Sequence, residues 1–171
     1  VFATAGEALE KAINETKPDI VLCIGQAGGE SVISVERVAI NIIDARMPDN
    51  ENNQPVDKPV KEDGTNAYFS NIPVKAITSA MRHKGVPTQL SFSAGSYVCN
   101  ALMYHLLYLI DKKYPAMKGG FIHVPYSPLQ AATKGAGVPS MNVDDIVRGL
   151  IVAIETAVSG EEISVPMGTL Q

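Results

Sequence analysis

The fold class is decided by residues 88–104, Thr-Gln-Leu-Ser-Phe-Ser-Ala-Gly-Ser-Tyr-Val-Cys-Asn-Ala-Leu-Met-Tyr. Thr88 to Phe92 is predicted as a β-strand, and the small residues of Ala94-Gly95-Ser96 favour a tight turn. From Tyr97 to Lys113, apolar residues recur at the spacing of one helix face. A strand that turns directly into a long helix is the building unit of α/β folds.

The rest of the chain continues this alternation of strands and helices. Further strands are predicted at Ile20–Ile24, Val35–Ile43 and Phe121–Val124, and further helices at Glu7–Thr16, Pro73–His83 and Val143–Val158. Residues 44–70 and 125–139 are predicted as loops. The alternation indicates an α/β fold with a mainly parallel sheet. A chain of 171 residues is long enough for one such domain, which we expect to cover residues 1–171.

Two of these elements carry specific expectations about burial. Ile20-Val21-Leu22-Cys23-Ile24 is a nearly continuous apolar run, which is typical of a strand buried on both faces of a sheet. The last helix is expected to begin at an Asn142 N-cap, with Asp144 and Asp145 in its first turn. Its side towards the core is predicted to consist of Val143, Ile146, Val147, Leu150, Ile151 and Ile154.

The composition argues against several classes of function. With a net charge of −4, the chain lacks the clustered Lys and Arg that nucleic-acid binding requires. No apolar run approaches the roughly 20 residues that span a bilayer, and Val1-Phe2-Ala3-Thr4 does not resemble a signal peptide. Two cysteines are too few for a disulfide framework, and no zinc-binding spacing is present. We therefore expect a cytoplasmic protein without a membrane or nucleic-acid partner.

The two cysteines differ in their predicted surroundings. Cys23 lies inside the apolar run and is expected to be buried and inert. Cys99 falls one or two residues into the helix that follows the Ala94-Gly95-Ser96 turn. Free backbone N–H groups at a helix N-terminus stabilise a thiolate and could form an oxyanion hole. Position alone leaves open whether Cys99 is a nucleophile or a core residue.

Of the three histidines, His123 is the best placed for catalysis, at the end of a predicted strand. His83 lies beside two basic residues and is expected to be a solvated helix end, and His105 is expected to pack or hydrogen-bond locally. A Cys–His pair needs a third group that orients the imidazole. Spacing alone leaves Glu30, Glu36 and Asp44 as equal candidates for that group.

Several segments resemble the signatures of the pyroglutamyl peptidase I family, in the order and spacing of that family and across most of the chain. Ser93-Ala94-Gly95-Ser96-Tyr97-Val98-Cys99-Asn100 is similar to the nucleophile signature, and Gly120-Phe121-Ile122-His123-Val124-Pro125-Tyr126 to the histidine segment. Pro139-Ser140-Met141 also fits. The first signature corresponds to Gly25-Gln26-Ala27-Gly28-Gly29, Glu36-Arg37-Val38-Ala39-Ile40-Asn41 and Asp44-Ala45-Arg46-Met47-Pro48-Asp49-Asn50.

The resemblance implies a cysteine peptidase that removes N-terminal pyroglutamyl residues from peptides, with a triad of Glu36, Cys99 and His123. It also implies a substrate site with Arg46 near the oxyanion, lined by Gln26, Met47, Tyr97 and Val98. The implied fold is a three-layer α/β/α sandwich with a mainly parallel twisted sheet. The implied assembly is a homotetramer, without a metal or cofactor.

The sequence departs from the family pattern at three places. No segment matches the initial strand and the Gly-Phe-x-Pro-Phe-Gly-like turn of relatives, so an N-terminally truncated domain is expected. Glu30 stands where relatives usually carry Arg, Met47 replaces a usual Ile, and Ile43 replaces a common polar residue. The missing pocket segment motivates an alternative, a catalytically silent scaffold derived from the family. A dinucleotide site is disfavoured because Gly25–Gly29 does not fit Gly-x-Gly-x-x-Gly. A different hydrolase or phosphorylase on a similar sheet is disfavoured because the sequence shows no basic or Gly-rich anion site for a purine or a phosphate.

Overall fold

The computed structural model describes residues 1–169, which contain five helices and six strands. The helices are α1 (Phe2–Thr16), α2 (Val74–His83), α3 (Val98–Lys112), α4 (Pro128–Ala132) and α5 (Val143–Ser159). The strands are β1 (Ile20–Gln26), β2 (Ile33–Glu36), β3 (Val38–Ile40), β4 (Ala67–Phe69), β5 (Thr88–Ser91) and β6 (Lys118–Val124). This confirms the predicted α/β class.

The described residues group into two compact units, each assembled from three segments of the chain. Unit 1 consists of Val1–Val21, Arg37–Asn71 and Phe92–Gly120, and unit 2 of Leu22–Glu36, Ile72–Ser91 and Phe121 onward. Residues 170 and 171, the end of the predicted single domain, lie outside the described residues. That the whole chain is one domain stays a prediction.

A four-stranded sheet has the order β1-β6-β2-β5. Strand β2 runs parallel to β5 and antiparallel to β6. Backbone hydrogen bonds join Lys118 to Asp19 at one end of the β1–β6 pair and Ala27 to Val124 at the other, so these two strands are parallel. Two of the three strand pairs are therefore parallel, which agrees with the predicted mainly parallel sheet.

In unit 2, helices α2 and α5 pack against each other, and α2 also covers β2 and β5. The β2 residues Ile33 and Val35 are fully buried. A Cβ on Gly149 of α5 would come within 2.8 Å of Cδ1 of Ile33, so the glycine lets this helix lie close to β2. Because side chains alternate along a strand, Ser34 and Glu36 project from the opposite face of β2.

In unit 1, helix α1 packs on α3, and α3 also contacts the small antiparallel sheet formed by β3 and β4. A Cβ on Gly6 of α1 would lie 2.9 Å from Nδ1 of His105, so the two helices approach closely at this point. The Tyr104 ring lies 5.0 Å from that of Tyr68, the middle residue of β4. Unit 1 thus packs the middle of α3 against α1 on one side and β4 on another.

The predicted boundaries need correction at several places, and β6 begins at Lys118 and not at Phe121. The first helix begins at Phe2 and not at Glu7. The single strand predicted at Val35–Ile43 is two strands, which break at Arg37 and join different sheets. Both predicted loops contain elements, because β4 lies within residues 44–70 and α4 within residues 125–139. The last helix begins as predicted, since Oδ1 of Asn142 accepts a hydrogen bond from N–H of Asp144 at 3.1 Å.

Two predictions of burial were wrong. Strand β1 lies at the edge of the sheet and is only partly covered, with Ile24 50% exposed and Cys23 half-buried. The buried face of α5 lies beside the predicted stripe on the helix surface. Small residues on that face allow α2 to approach closely. The buried face consists of Ile146, Gly149, Val152, Ala153 and Ala157, whereas Val143, Val147, Ile151 and Ile154 are exposed.

Candidate active site

Glu36 and His123 meet because of the register between β2 and β6. In this antiparallel pair, Glu36 lies opposite Phe121 and Ser34 lies opposite His123. Side chains two residues apart on a strand share a face, so Glu36 and His123 are diagonal neighbours on one face of the sheet. That spacing is within reach of two long side chains.

The two side chains form a buried hydrogen bond. Nδ1 of His123 donates to Oε1 of Glu36 at 2.8 Å, with Glu36 only 2% and His123 8% exposed. An ionised carboxylate can only accept, so this contact places the proton of a neutral imidazole on Nδ1 and leaves the lone pair on Nε2. The Phe121 ring packs at 4.8 Å from the imidazole. The imidazole is therefore held in the orientation and tautomer of a general base.

Cys99 is the second residue of α3, as predicted, and it is half-buried. Tyr97 is the N-cap residue and makes no capping hydrogen bond with its side chain. The first N–H groups of an α-helix have no partner within the helix. The backbone around Cys99 therefore presents donors to a thiolate or to an oxyanion.

Residues 44–48 are fastened to the residues that precede Cys99. N–H of Asp44 donates to the carbonyl of Ser96 at 3.0 Å, and the Ser96 hydroxyl donates back to the carbonyl of Asp44 at 2.9 Å. The Tyr97 hydroxyl donates to the carbonyl of Pro48 at 3.0 Å. Arg46 and Met47, both exposed, are thereby held on a loop that is tied at each end to the start of α3.

Asn100 anchors the chain that leads into this loop. Its side chain is completely buried and makes three hydrogen bonds with the backbone of Ile40 and Ile42. It accepts from N–H of Ile40 at 2.9 Å and donates to the carbonyls of Ile40 at 2.9 Å and Ile42 at 3.1 Å. The residue after the candidate nucleophile thus fixes the strand that precedes residues 44–48.

Gln26 lies at the end of β1 and is paired with Gln130 of α4. Nε2 of Gln26 donates to Oε1 of Gln130 at 2.7 Å, and Nε2 of Gln130 donates to Oε1 of Gln26 at 3.4 Å. The turn that follows Gln26 packs on Tyr126, because a Cβ on Gly28 would collide with the Tyr126 hydroxyl and ring. These contacts fix the turn relative to the segment that follows His123.

The predicted site residues are thus distributed between the two units. Unit 2 brings together Glu36 and His123 and contains Gln26, whereas Cys99, Tyr97 and the loop with Arg46 and Met47 belong to unit 1. Val98 lines a cavity of about 190 Å³ that also involves α1 and His105. The competing acids Glu30 and Asp44 are both exposed, unlike Glu36.

The other two histidines differ from His123. His83 is an exposed helix end, as expected, and its Nδ1 contacts the carbonyl of Ser79 at 2.8 Å. His105 packs against Gly6, in agreement with the expected local packing, and its buried Nε2 has no hydrogen-bond partner among residues 1–169. Burial lowers the pKa of His105 from its usual 6.5, and the positive charge of Lys61 adds to that effect.

Three residues that the sequence did not single out contribute to these arrangements, namely Asn100, Tyr126 and Gln130. The signal for Gln130 was available, because Ser127-Pro128-Leu129-Gln130 has the spacing of a capping box. In the structure, Ser127 is the N-cap of α4 and both capping-box hydrogen bonds are present. No group of three His, Cys, Asp or Glu side chains within residues 1–169 is arranged to hold a metal ion.

Comparison with known proteins bears directly on this arrangement. The family model described as pyroglutamyl peptidase matches residues 1–160. The chain belongs to the pyroglutamyl peptidase family. It is 55% identical over 159 residues to the pyrrolidone-carboxylate peptidase of Brevibacillus brevis, covering 93% of this chain and 74% of that protein. It is 56% identical over 155 residues to that of Thermosipho africanus, covering 91% and 75%.

Solved structures of the family show the same fold. Pyroglutamyl peptidase I from Bacillus amyloliquefaciens superimposes with a TM-score of 0.93 at 41% identity, covering 97% of this chain and 79% of that one. Pyrrolidone carboxyl peptidase from Thermococcus litoralis gives a TM-score of 0.92 at 37% identity, covering 97% and 80%. Within residues 1–169, no helix is both long and apolar enough to cross a membrane.

Proposed function

We propose that this chain is a cysteine peptidase that removes N-terminal pyroglutamyl residues from peptides. The observation that carries the proposal is the buried hydrogen bond between His123 and Glu36, in a chain of the pyroglutamyl peptidase family. Burial of an ionised carboxylate costs free energy unless the carboxylate is hydrogen-bonded. The hydrogen bond to His123 offsets this cost for Glu36 and gives the buried carboxylate a role. The alternative of a catalytically silent scaffold finds no support in the relatives, which are peptidases by name.

In the first half of the reaction, Cys99 is the nucleophile and His123 the base. Nε2 of His123 takes the thiol proton, and the sulfur adds to the carbonyl carbon that follows the lactam ring. The oxyanion is stabilised by backbone N–H groups at the start of α3, with Arg46 near it. The C–N bond then breaks, His123 returns its proton to the leaving amine, and a thioester remains.

In the second half, water replaces the amine. His123 takes a proton from water, the hydroxyl oxygen adds to the thioester carbonyl, and the C–S bond breaks. The sulfur leaves and regains its proton, and free pyroglutamate is the product. Throughout, Glu36 keeps the Nδ1 proton of His123 in place and stabilises the imidazolium. The chain's own side chains account for every proton that moves.

The lactam ring is proposed to lie against Met47, Tyr97 and Val98, with Gln26 hydrogen-bonded to its amide. A ring with apolar faces and one polar edge suits a pocket of this composition. Met47 is 57% exposed and free to contact a ligand. Val98 also lines the cavity next to α1.

We further propose a cytoplasmic homo-oligomer, most simply a tetramer. The exposed apolar face of α5 supports an assembly, since Val143, Val147, Ile151, Ile154 and Val158 follow one another at spacings of three and four residues and are each at least 47% exposed. Such a stripe is typical of a helix that packs against another helix. Single exposed apolar residues are ordinary, but a continuous row of five is not.

The two cysteines provide a direct test with a matched control. The assay measures release of a fluorescent amine from a pyroglutamyl conjugate, with and without iodoacetamide. We expect wild type to release the amine and iodoacetamide to abolish this turnover. Cys99→Ala should have no turnover. Cys23→Ala should keep its turnover, which should remain sensitive to iodoacetamide. Activity that persists in a folded Cys99→Ala protein would refute the assignment of the nucleophile.

A further inference from the structure

The amide pair between Gln26 and Gln130 is the feature that the proposed reaction leaves unexplained. Both side chains are exposed, so neither amide needs a protein partner for burial reasons. They are nevertheless joined by two reciprocal hydrogen bonds across 104 residues of sequence. A contact between two mobile side chains at a surface costs conformational entropy, so its presence calls for a reason.

The orientation of the Gln130 amide is set by the backbone. N–H of Ser127 donates to Oε1 of Gln130 at 2.9 Å, as part of the capping box at the start of α4. A backbone N–H can only donate, so the oxygen and not the nitrogen of the Gln130 amide must face it. Pro128 at the first position of α4 adds rigidity, because its φ is fixed.

This orientation is passed on to Gln26. Since Oε1 of Gln130 also accepts from Nε2 of Gln26 at 2.7 Å, the Gln26 amide is held with its nitrogen towards that oxygen. If the Gln26 amide were flipped, its oxygen would face Oε1 of Gln130 and its nitrogen would face Nε2 of Gln130, and neither contact is a hydrogen bond. The pair therefore selects one of the two otherwise similar orientations of the Gln26 amide.

The pair leaves part of Gln26 free for a ligand. A primary amide has two N–H donors and an oxygen with two lone pairs, and Gln130 uses one of each. One N–H and one lone pair remain. A pyroglutamyl ring carries one amide N–H and one carbonyl. Its binding is therefore favoured by a partner whose hydrogen-bond donor and acceptor are held in fixed positions.

We propose that Gln130 is a positioning residue that orients the Gln26 amide for the lactam of the substrate. This inference rests on the proposed function, and in particular on contact between Gln26 and the pyroglutamyl ring. Gln130 acts through Gln26 and does not touch the reacting atoms. Its contribution is to remove the entropy cost of ordering Gln26 at the moment of binding.

The test is a double-mutant cycle on hydrolysis of a pyroglutamyl amide by the full chain. The variants are Gln130→Met, which keeps the volume without the amide, Gln26→Ala and the double variant. Loss of a hydrogen-bonded contact of this kind corresponds to about a fivefold change in the equilibrium constant for substrate binding. We expect a roughly fivefold rise in KM for Gln130→Met with kcat nearly unchanged, because an oriented ring contact acts equally in the ground and transition states.

In the Gln26→Ala background, Gln130→Met should change KM by less than about twofold, since the contact through which it acts is gone. The matched control is Thr133→Ala, which removes a hydrogen bond to the Gln130 carbonyl on the same helix but leaves the amide pair intact. Thr133→Ala should behave as wild type. An equal rise in KM in both backgrounds, or the same rise in Thr133→Ala, would overturn the proposal.

A second readout separates failure of this inference from failure of the proposed function. In the ligand-free protein, the side-chain amide signals of Gln26 in a nitrogen–proton correlation spectrum should move in Gln130→Met and stay in place in Thr133→Ala. Signals that do not move in either variant would refute the coupling, whatever the enzyme hydrolyses. Moved signals in a chain without turnover on pyroglutamyl amides would leave the coupling standing and remove the proposed function.

Discussion

Replacing Asn100 by alanine should destabilise the protein strongly. Its side chain is fully buried and makes three hydrogen bonds with backbone atoms of Ile40 and Ile42. Each bond contributes about 1 kcal/mol net to the free energy of unfolding. Alanine also leaves N–H of Ile40 buried without an acceptor, which adds about 1–3 kcal/mol. Together these contributions give an expected loss of about 4–6 kcal/mol.

The assay is unfolding in urea at neutral pH, followed by circular dichroism, for wild type and Asn100→Ala. For a chain of this length, a loss of that size also corresponds to a fall in Tm of roughly 10–20 °C, which a separate thermal scan measures. Asn100→Asp should be at least as destabilising as alanine. It keeps an acceptor for Ile40 N–H, but it sets a carboxylate oxygen against the carbonyls of Ile40 and Ile42.

The matched control is Asn14→Ala. Oδ1 of Asn14 accepts a single hydrogen bond from the Tyr114 hydroxyl at an exposed site in the same unit. Its removal should cost under about 1 kcal/mol, because water replaces the lost partner. If Asn100→Ala loses no more stability than Asn14→Ala, the reasoning from buried backbone groups is wrong for this site.

Four further predictions follow from the geometry. Glu36→Gln should lower kcat about 10³- to 10⁴-fold without unfolding the protein, because an amide N–H directed at Nδ1 favours the wrong tautomer of the imidazole; steady-state kinetics measure this. Gly28→Ala should lower the free energy of unfolding by about 1–3 kcal/mol, since the new methyl group collides with Tyr126. The stability of wild type should fall as the pH decreases from about 6.5, because the pKa of His105 is lowered by burial and the unfolded state binds the proton first. Ile151→Lys should dissociate the oligomer, as measured by sedimentation velocity, because a charge is placed in the middle of the apolar face of α5.

Each of these has an outcome that contradicts it. A Glu36→Gln enzyme with wild-type kcat would mean that the carboxylate does not set the tautomer. The cost of Gly28→Ala should vanish in a Tyr126→Ala background, and an unchanged cost there would exclude the proposed collision. As the pH decreases below 6.5, the stability of a His105→Gln variant should fall less than that of wild type. An identical pH profile for the two proteins would assign the loss of stability to other groups. An oligomer that is unaffected by Ile151→Lys does not use this face.

Much of the site could be predicted, but not from spacing alone. The position of Cys99 at the start of a helix followed from periodicity, because the change from strand to helix spacing marks that boundary in the sequence. The choice of Glu36 over Glu30 and Asp44 came only from the family resemblance. The structure adds the physical reason, since the register of β2 against β6 places Glu36, and neither competitor, diagonally across from His123.

The errors have a common cause. Periodicity shows which residues share a face of one element, but it does not show which face is covered. The stripe predicted for α5 was apolar, as stated, yet the buried face is the neighbouring one, where Gly149, Ala153 and Ala157 allow close packing. In the same way, the apolar run of β1 did not reveal that the strand lies at the edge of its sheet.

The sequence by itself determined the α/β class, the main helices, the N-cap of α5 and the family, because these depend on local periodicity, on capping chemistry and on motifs that lie close together in the chain. Only the tertiary structure decided the break at Arg37, the pairing of Glu36 with His123 and the pairing of Gln26 with Gln130. These depend on strand register and on contacts between residues 87 and 104 positions apart. No local pattern encodes such contacts, since they are set by the way in which the whole chain packs.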